Sequence, residues 1–370
     1  MKINPILAVF TLTLAVAVDG FAQDVQRFQL SGFASIVGGQ VIHGANDPTA
    51  GFANCTAPCF IADWSNAGVY DRQFTLKPES RIGIQGNYQF NERLSTTVQA
   101  TSRATDTSPR LEWAYLSYKI GDWDLQIGRK RIPLYFYSDF QDVGLAYPWI
   151  TPPPDLYGWE VTNYNGASVR YRTRLNEVAL SASLYKGYEH LNDARIYRIY
   201  GSERVDTEWN NLIGADLEIC KGWWTVRFAR SSTNIRDHFR SSDIYGKERS
   251  TATGMALNVD LSDWVFLFEI GENARKSRDP NYPNRKILSL MNTVAYRFGP
   301  WTPFASVSRF HEHDVSANYQ ASRWFTYGAG VRYDINTLQA IKVQWNQTHD
   351  TLDKFTGNTS VLRASYDVQF

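Results

Sequence analysis

The feature that most limits what this chain can fold into is the rhythm of its connections. Segments of roughly ten residues with strict period-two alternation follow one another, joined alternately by a tight turn and a long connection. Ile82, Ile84, Gly86, Tyr88 and Phe90 share one face of such a segment, while Arg81, Gln85, Asn87 and Gln89 share the other. Leu94, Thr96, Val98 and Ala100 stand in the same way against Ser95, Thr97, Gln99 and Thr101. The pattern returns in Leu288, Leu290, Val294, Tyr296 and Phe298, and in Phe325, Tyr327, Ala329, Val331 and Tyr333, with Arg297 and Arg332 on the opposite faces. Alternation of this kind makes strands with one apolar and one polar side.

About sixteen strands follow: 27–42, 80–90, 94–103, 111–120, 123–132, 162–173, 177–187, 209–219, 222–233, 251–260, 264–274, 286–298, 302–312, 322–334, 338–348 and 360–370. The tight turns are Asn91–Arg93, Gly121–Asp122, Arg174–Asn176, Lys221–Gly222, Ser262–Asp263, Gly299–Pro300 and Asn336–Thr337, rich in Gly, Asn, Asp and Pro. All long connections, of about 7 to 40 residues, therefore fall on one side. The expectation is an all-β, transmembrane antiparallel β-barrel with short periplasmic turns and long extracellular loops. Closure satisfies every backbone hydrogen bond, which an open sheet in lipid could not do. Trp123, Trp223, Trp224, Trp264 and Trp301 begin strands just after tight turns, and Phe90, Tyr118, Tyr171, Phe298 and Tyr333 lie near the ends of strands entering them. Rings so placed form an interfacial girdle at the turn end, which a soluble sandwich has no reason to build.

Residues 1–22 read as a secretory signal peptide, with Lys2, an apolar run from Ile6 to Val18 and the small-residue site Gly20-Phe21-Ala22. The mature chain, 23–370, is then one barrel domain in the outer membrane, in contact with its lipid and lipopolysaccharide. A net charge of +1 gives no reason to expect a nucleic-acid partner. After residue 22 no run of 18 apolar residues occurs, so no helix is expected to span.

The longest aromatic connection starts from the strand Trp123–Arg131. It runs through Ile132-Pro-Leu-Tyr-Phe-Tyr-Ser-Asp-Phe-Gln-Asp-Val-Gly and Ala146-Tyr-Pro-Trp-Ile-Thr-Pro-Pro-Pro-Asp-Leu-Tyr-Gly158. An apolar connection of this length is usually functional, and here it is expected to fold into the barrel and narrow it.

The last segment, Ser360-Val-Leu-Arg-Ala-Ser-Tyr-Asp-Val-Gln-Phe370, resembles the C-terminal signature by which outer-membrane barrels are recognised, with Tyr366 and Val368 on the face of the terminal Phe370. Leu30-Ser-Gly-Phe-Ala-Ser looks like the first strand of the same class, and Ile127-Gly-Arg-Lys-Arg-Ile-Pro is similar to the strand before an inward third loop. The chain thus resembles the general-diffusion porins of Gram-negative bacteria across its mature length. The resemblance implies a homotrimer of water-filled channels for small hydrophilic solutes, assembled by the barrel-assembly machinery. Gly32, Ala34 and Gly38 in the first strand suit close subunit approach. A Tyr- and Pro-rich third loop without a dense acidic run departs from the family pattern.

A passive pore needs a narrow charged cross-section. Asp139 and Asp142 are the acidic candidates on the loop, faced by Arg81, Arg103, Lys130 and Arg131. Parity also points Arg170, Arg172, Arg227, Arg297, Arg332, Lys342 and Arg363 inward, because lipid-facing arginines at mid-depth are costly. Asp216 and Asp367 are the inward acids found by the same reasoning, so a weak anion preference is expected. Arg129 shares parity with Leu125 and Ile127, which a bulge at Gly128 or a subunit interface would explain.

Cys55 and Cys59 suit a local disulfide better than a metal site in an exported protein, and Cys220 is left over. The six histidines fall in or beside long connections, and His311-Glu-His313 reads as a solvated loop. No cofactor, metal or catalytic motif is expected, and so no enzyme. A substrate-specific channel is the nearer rival, to be marked by a row of aromatics through the lumen; a lipase-like barrel with Ser, His and Asp at its rim is the further one.

Overall fold

The computed structural model describes residues 27–44, 46–53, 55–277, 283–313, 315, 321–351 and 358–370, so the segment expected to be a signal peptide lies outside the described residues. Sixteen antiparallel strands close into a single barrel. They are β1 (Phe28–His43), β2 (Arg81–Gln89), β3 (Leu94–Arg103), β4 (Arg110–Ile120), β5 (Trp123–Arg131), β6 (Asn163–Leu175), β7 (Val178–Leu191), β8 (Val205–Lys221), β9 (Trp224–Phe239), β10 (Ile244–Leu261), β11 (Trp264–Ser277), β12 (Arg285–Tyr296), β13 (Trp301–His313), β14 (Arg323–Asn336), β15 (Gln339–Asp350) and β16 (Ser360–Gln369). The first and last strands pair from Phe33↔Gln369 to His43↔Ser360, which leaves no edge. Among the described residues no helix is long and apolar enough to cross a membrane.

Alternation sorts the side chains as the sequence requires. Ile82 and Ile84 are 47% and 50% exposed on the outer wall, while Arg81 beside them is 6% exposed. The turns use residues in the left-handed region at Gly121, Asn176, Gly222, Ser262 and Gly299. Just above them the girdle is built from register partners: Trp123 with Tyr171, Trp264 with Tyr296 and Trp301 with Tyr333, at ring separations of 4.7, 4.8 and 4.5 Å.

One expected long connection is mostly strand. β9 and β10 continue to Phe239 and Ile244, so only Arg240–Asp243 turns between them. Above the lipid both faces of a hairpin meet polar surroundings, as Asn234, Arg236 and Asp237 do here. The hydrophobic alternation fades there while backbone pairing goes on.

The first loop folds over the mouth as two small ribbons, Asp47–Phe52 with Cys55–Ala57 and Phe60–Asp63 with Gly68–Tyr70. Cys55 and Cys59 are joined by a disulfide between them, and Cys220 is free. Of the three small residues expected at a subunit contact, the two glycines are covered from within the chain: Phe370 lies on Gly32, and Phe74 and Leu76 on Gly38.

Candidate pore and its constriction loop

The loop from Ile132 to Thr162 enters the lumen from the top of β5, and its root is closed by the Ile132 amide donating to the Thr162 carbonyl at 2.9 Å. Proline and aromatic side chains leave it little regular structure beyond single turns at Ser138–Phe140, Gly144–Ala146 and Pro154–Tyr157. Its Ile132, Leu134, Tyr135, Tyr137, Tyr147, Trp149, Leu156 and Tyr157 form an apolar core with wall residues that include Tyr185, Trp209, Met291 and Phe304. This is a hydrophobic core inside the barrel, and its burial holds the loop to the wall.

Charged wall residues tie down the loop backbone. Asp142 accepts from Arg103 at 2.5 Å and also from Arg131, while Glu112 lies 3.6 and 3.1 Å from the same two guanidiniums. Arg81 donates to the Asp142 carbonyl at 2.7 Å and to the Tyr147 hydroxyl at 3.0 Å. Burial alone would raise the Asp142 carboxyl, but Arg103, Arg131 and Arg81 outweigh it and hold the carboxyl down at about 2.

Across the lumen, Lys342 donates to the carbonyls of Gly144 and Trp149, each at 2.5 Å, and stands 3.3 Å from Asp367. Arg332 caps the carbonyls of Leu145 and Tyr147, and Arg227 that of Pro133. Glu269 accepts from the Phe136 amide at 2.9 Å and the Tyr157 hydroxyl at 2.6 Å. Asp155 accepts from Ser308 and Trp324 at 2.6 and 2.9 Å, and its burial raises the carboxyl. At Gly144 the loop backbone comes so close to the seam of β1 and β16 that a Cβ would lie 2.0 Å from an Asp367 oxygen. The loop thus spans the lumen, touching walls from β9 round to β3.

The residues singled out as pore candidates divide into two groups. Arg81, Arg103, Arg131 and Asp142 are 6%, 7%, 3% and 6% exposed, paired with one another at the loop root. Arg227 pairs with Asp216 and Glu218, Arg363 with Glu79 at 2.6 Å, and Arg297 with Asp260 at the turn end. Lys130, Arg170, Arg172 and Asp139 remain accessible on the inner side. Arg170 and Asp139 form no side-chain hydrogen bond or ion pair among the described residues. Lys130 donates to Gln126 and Ser168, and the charges of Arg170, Asp139, Asp124 and Asp216 all act on its ammonium group. Arg172 is half exposed and stands 3.9 Å from Asp124.

The inward acids are more numerous than Asp216 and Asp367. Glu112, Asp124, Glu189, Asp237, Glu248, Glu269 and Glu312 are also buried on the inner face. Glu269 alternates with the outward Phe266 and Phe268, so parity alone identifies it. Glu112 is hidden from parity because the register of β3 and β4 slips between Gln99 and Ala100. Arg129, awkward by parity, reaches the Leu111 carbonyl and Glu189, and Gly128 before it takes φ +135°. Among the described residues no three His, Cys, Asp or Glu side chains gather as a metal site.

The extracellular side of the lumen is closely packed. Trp64 of the first loop stacks on Trp324 at 5.4 Å, Trp324 on Phe310 at 4.2 Å, and Tyr200 on Trp64 at 6.2 Å. Inward residues of the upper wall, among them Thr233, Ser250, Asn273, Ser289 and Thr348, are each no more than 4% exposed.

No protein-family model matches the chain, and no curated protein matches its sequence. Solved structures do match it in shape. The anion-selective porin from Comamonas acidovorans superposes with a TM-score of 0.59 at 10% identity, over 93% of this chain and 99% of that one. OmpF of Salmonella typhi, solved with daunomycin, gives 0.60 at 12% identity over 93% and 97%. OmpT of Vibrio cholerae, folded in vitro and in a trimer form, gives 0.58 at 10% identity over 93% and 99%. With its sixteen-strand closed barrel and inward third loop, the chain has the fold of the Gram-negative outer-membrane porins.

Proposed function

We propose that the chain is an outer-membrane channel for passive diffusion of small hydrophilic solutes, with a weak preference for anions, and not a barrel enzyme. The observation that carries this is the charge left free around the loop. Lys130 and Arg170 on the wall of β5 and β6 have no carboxylate within ion-pair distance among the described residues, and Asp139 on the loop is the free acid set against them. Rings of unneutralised charge at a narrow point set ion preference, whereas paired charges hold structure. Arg81, Arg103, Arg131 and Asp142 on this reading fix the loop instead of lining the passage.

A homotrimer is the assembly that agrees with the trimer form of the OmpT match. A second reading, a channel selective for one solute class, draws on the aromatic core of the loop and the packed upper wall. Single-channel recording in planar bilayers under a potassium chloride gradient tests both. Stepwise conductance with a mildly anionic reversal potential supports diffusion. Conductance that a particular solute blocks at low concentration favours the selective channel, and silence sinks both.

A further inference from the structure

The strand that carries Arg170 carries two more arginines on the same face. Arg170, Arg172 and Arg174 alternate in β6 with Tyr171, Thr173 and Leu175. Tyr171 packs on Trp123 at the outer girdle and Leu175 is 59% exposed, so the three arginines face the lumen. The rung above them comes from β5: the Lys130 ammonium lies 3.3 Å from the Ser168 hydroxyl, two residues before Arg170. Four cations thus descend from the loop to the turn end at intervals of about 7 Å, two residues of strand each.

Little neutralises this row. Arg170 and Arg174 form no hydrogen bond or ion pair among the described residues, and half-exposed Arg172 stands 3.9 Å from Asp124. Asp124 lies in register between Lys119 of β4 and Arg170, is 5% exposed, and already accepts from Ser117 and Gln126. Further round the wall Asp216 and Glu218 are each 3.6 Å from Arg227. Asp139 on the loop is the free acid, and it acts on the top rung.

A channel that merely prefers anions needs free charge at its narrow point, which Lys130 and Arg170 supply. Arg172 and Arg174 lie below that point, where such a preference does not require them. Unpaired like charges about 7 Å apart repel one another, and an anion lodged between two of them relieves both. A guanidinium presents paired N–H groups that match the oxygens of a phosphate. Each such contact spans about 2.8 Å, so one tetrahedral phosphoryl group can accept from two successive rungs at once. It also carries about 1.5 to 2 negative charges at pH 7, against the single charge of a carboxylate or chloride.

We propose that Lys130, Arg170, Arg172 and Arg174 are a row of relay sites for solutes bearing a phosphoryl dianion, which pass from rung to rung towards the turn end. The proposal rests on the channel reading and names its solute class. Several weak sites in line bind well enough to admit such a solute and loosely enough to release it.

Block of the single-channel potassium chloride current at pH 7 tests this, with potassium phosphate as the blocker and potassium acetate as the monovalent control. The double variant Arg172→Gln with Arg174→Gln removes the two lower rungs, and Asp124 keeps its hydrogen bonds from Ser117 and Gln126. Phosphate is expected to half-block the wild-type channel at a concentration roughly fivefold below acetate, and the double variant to raise the phosphate value roughly fivefold. Its reversal potential under a salt gradient should stay at the wild-type value, because Lys130 and Arg170 remain at the narrow point. Phosphate and acetate blocking the wild type alike, a comparison that needs no variant, overturns the proposal. So does a phosphate block unchanged in the double variant, or an ion preference that disappears together with the block. An open, mildly anion-selective channel that phosphate does not block is the failure of the relay alone; a protein with no conductance is the failure of the channel reading and of the relay with it.

Discussion

The ring of Phe370, the last residue, lies on Gly32 of the first strand, where a Cβ would come within 2.4 Å of the ring. The two residues also exchange backbone hydrogen bonds, Gly32 donating at 2.6 Å and Phe370 at 3.0 Å. Closure of the barrel and seating of its terminal ring on the first strand therefore occur at one place. Gly32→Leu pushes the ring off the seam and should loosen the β1–β16 pairing more than Ala34→Leu, which lies two residues higher. Semi-native gel electrophoresis reads this as a lower temperature at which the folded band converts to the unfolded one. Equal conversion temperatures for both variants would show that the ring's seat does not matter.

The Asp142 cluster predicts how the loop is held. Removing the nearer of the two carboxylates that Arg103 and Arg131 share, while Arg81 holds its backbone, leaves these buried cations with Glu112 and, for Arg103, Asp63 at 3.9 Å. Breaking a buried pair in this way costs about 3–5 kcal/mol. Asp142→Asn is therefore expected to leave the barrel closed and free the loop, seen as noisier and larger single-channel currents at the same strand content by circular dichroism. A quiet channel of wild-type conductance would mean that the apolar core alone holds the loop.

The pH dependence of that anchor has a definite sign. A carboxyl held at about 2, against an ordinary value of 3.8, adds stability that is fully present above about 4 and drains away as pH falls from 3.8 through 2. Conductance should then be free of loop noise from pH 7 down to 4 and grow noisy only below that. Onset of noise near pH 6 would point to a different group.

Much of this was legible in the sequence, because a barrel repeats one simple rule. Period-two alternation located Arg81, Arg103, Lys342 and Arg363 on the inner face, and the turn residues located the hairpins. The rule fails where its physical cause is absent. Above the lipid, polar residues on both faces hide the continuation of β9 and β10. At the slip beside Glu112 the parity count loses its phase. Which inner cations stay free was not legible at all. Arg131 and Lys130 are sequence neighbours with the same charge, yet one is neutralised by Asp142 and Glu112 and the other faces Asp139 and Arg170. That difference depends on where a loop of irregular backbone comes to rest.

Trp64 carries a prediction about the mouth of the barrel. Its indole stacks with both Trp324 and Tyr200, and the neighbouring Ser65 hydroxyl donates to the Trp159 carbonyl at 2.5 Å, joining the first loop to the end of the third. Trp64→Ala removes the shared face and should admit larger neutral solutes in a liposome-swelling assay, with ion selectivity unchanged. If the size limit stays where it is, the narrowest point lies below the cap, at the loop itself.

On the proposed channel reading Lys130 and Arg170 set the selectivity, and the variants separate them from the anchoring arginines. Arg170→Ala removes a cation that has no partner among the described residues, so it strands no described carboxylate and the fold should not notice. The chloride-to-potassium permeability ratio should fall roughly twofold, and further in the double variant with Lys130→Ala, while Asp139→Asn should raise it. The control is Arg363→Ala, which strips the partner from buried Glu79 and should lower thermal stability with little change in selectivity. Reversal potentials under a salt gradient decide the matter. If Arg170→Ala leaves the ratio unchanged and Arg363→Ala shifts it, the passage runs along the β16 wall and the free charges on β5 and β6 are only a vestibule.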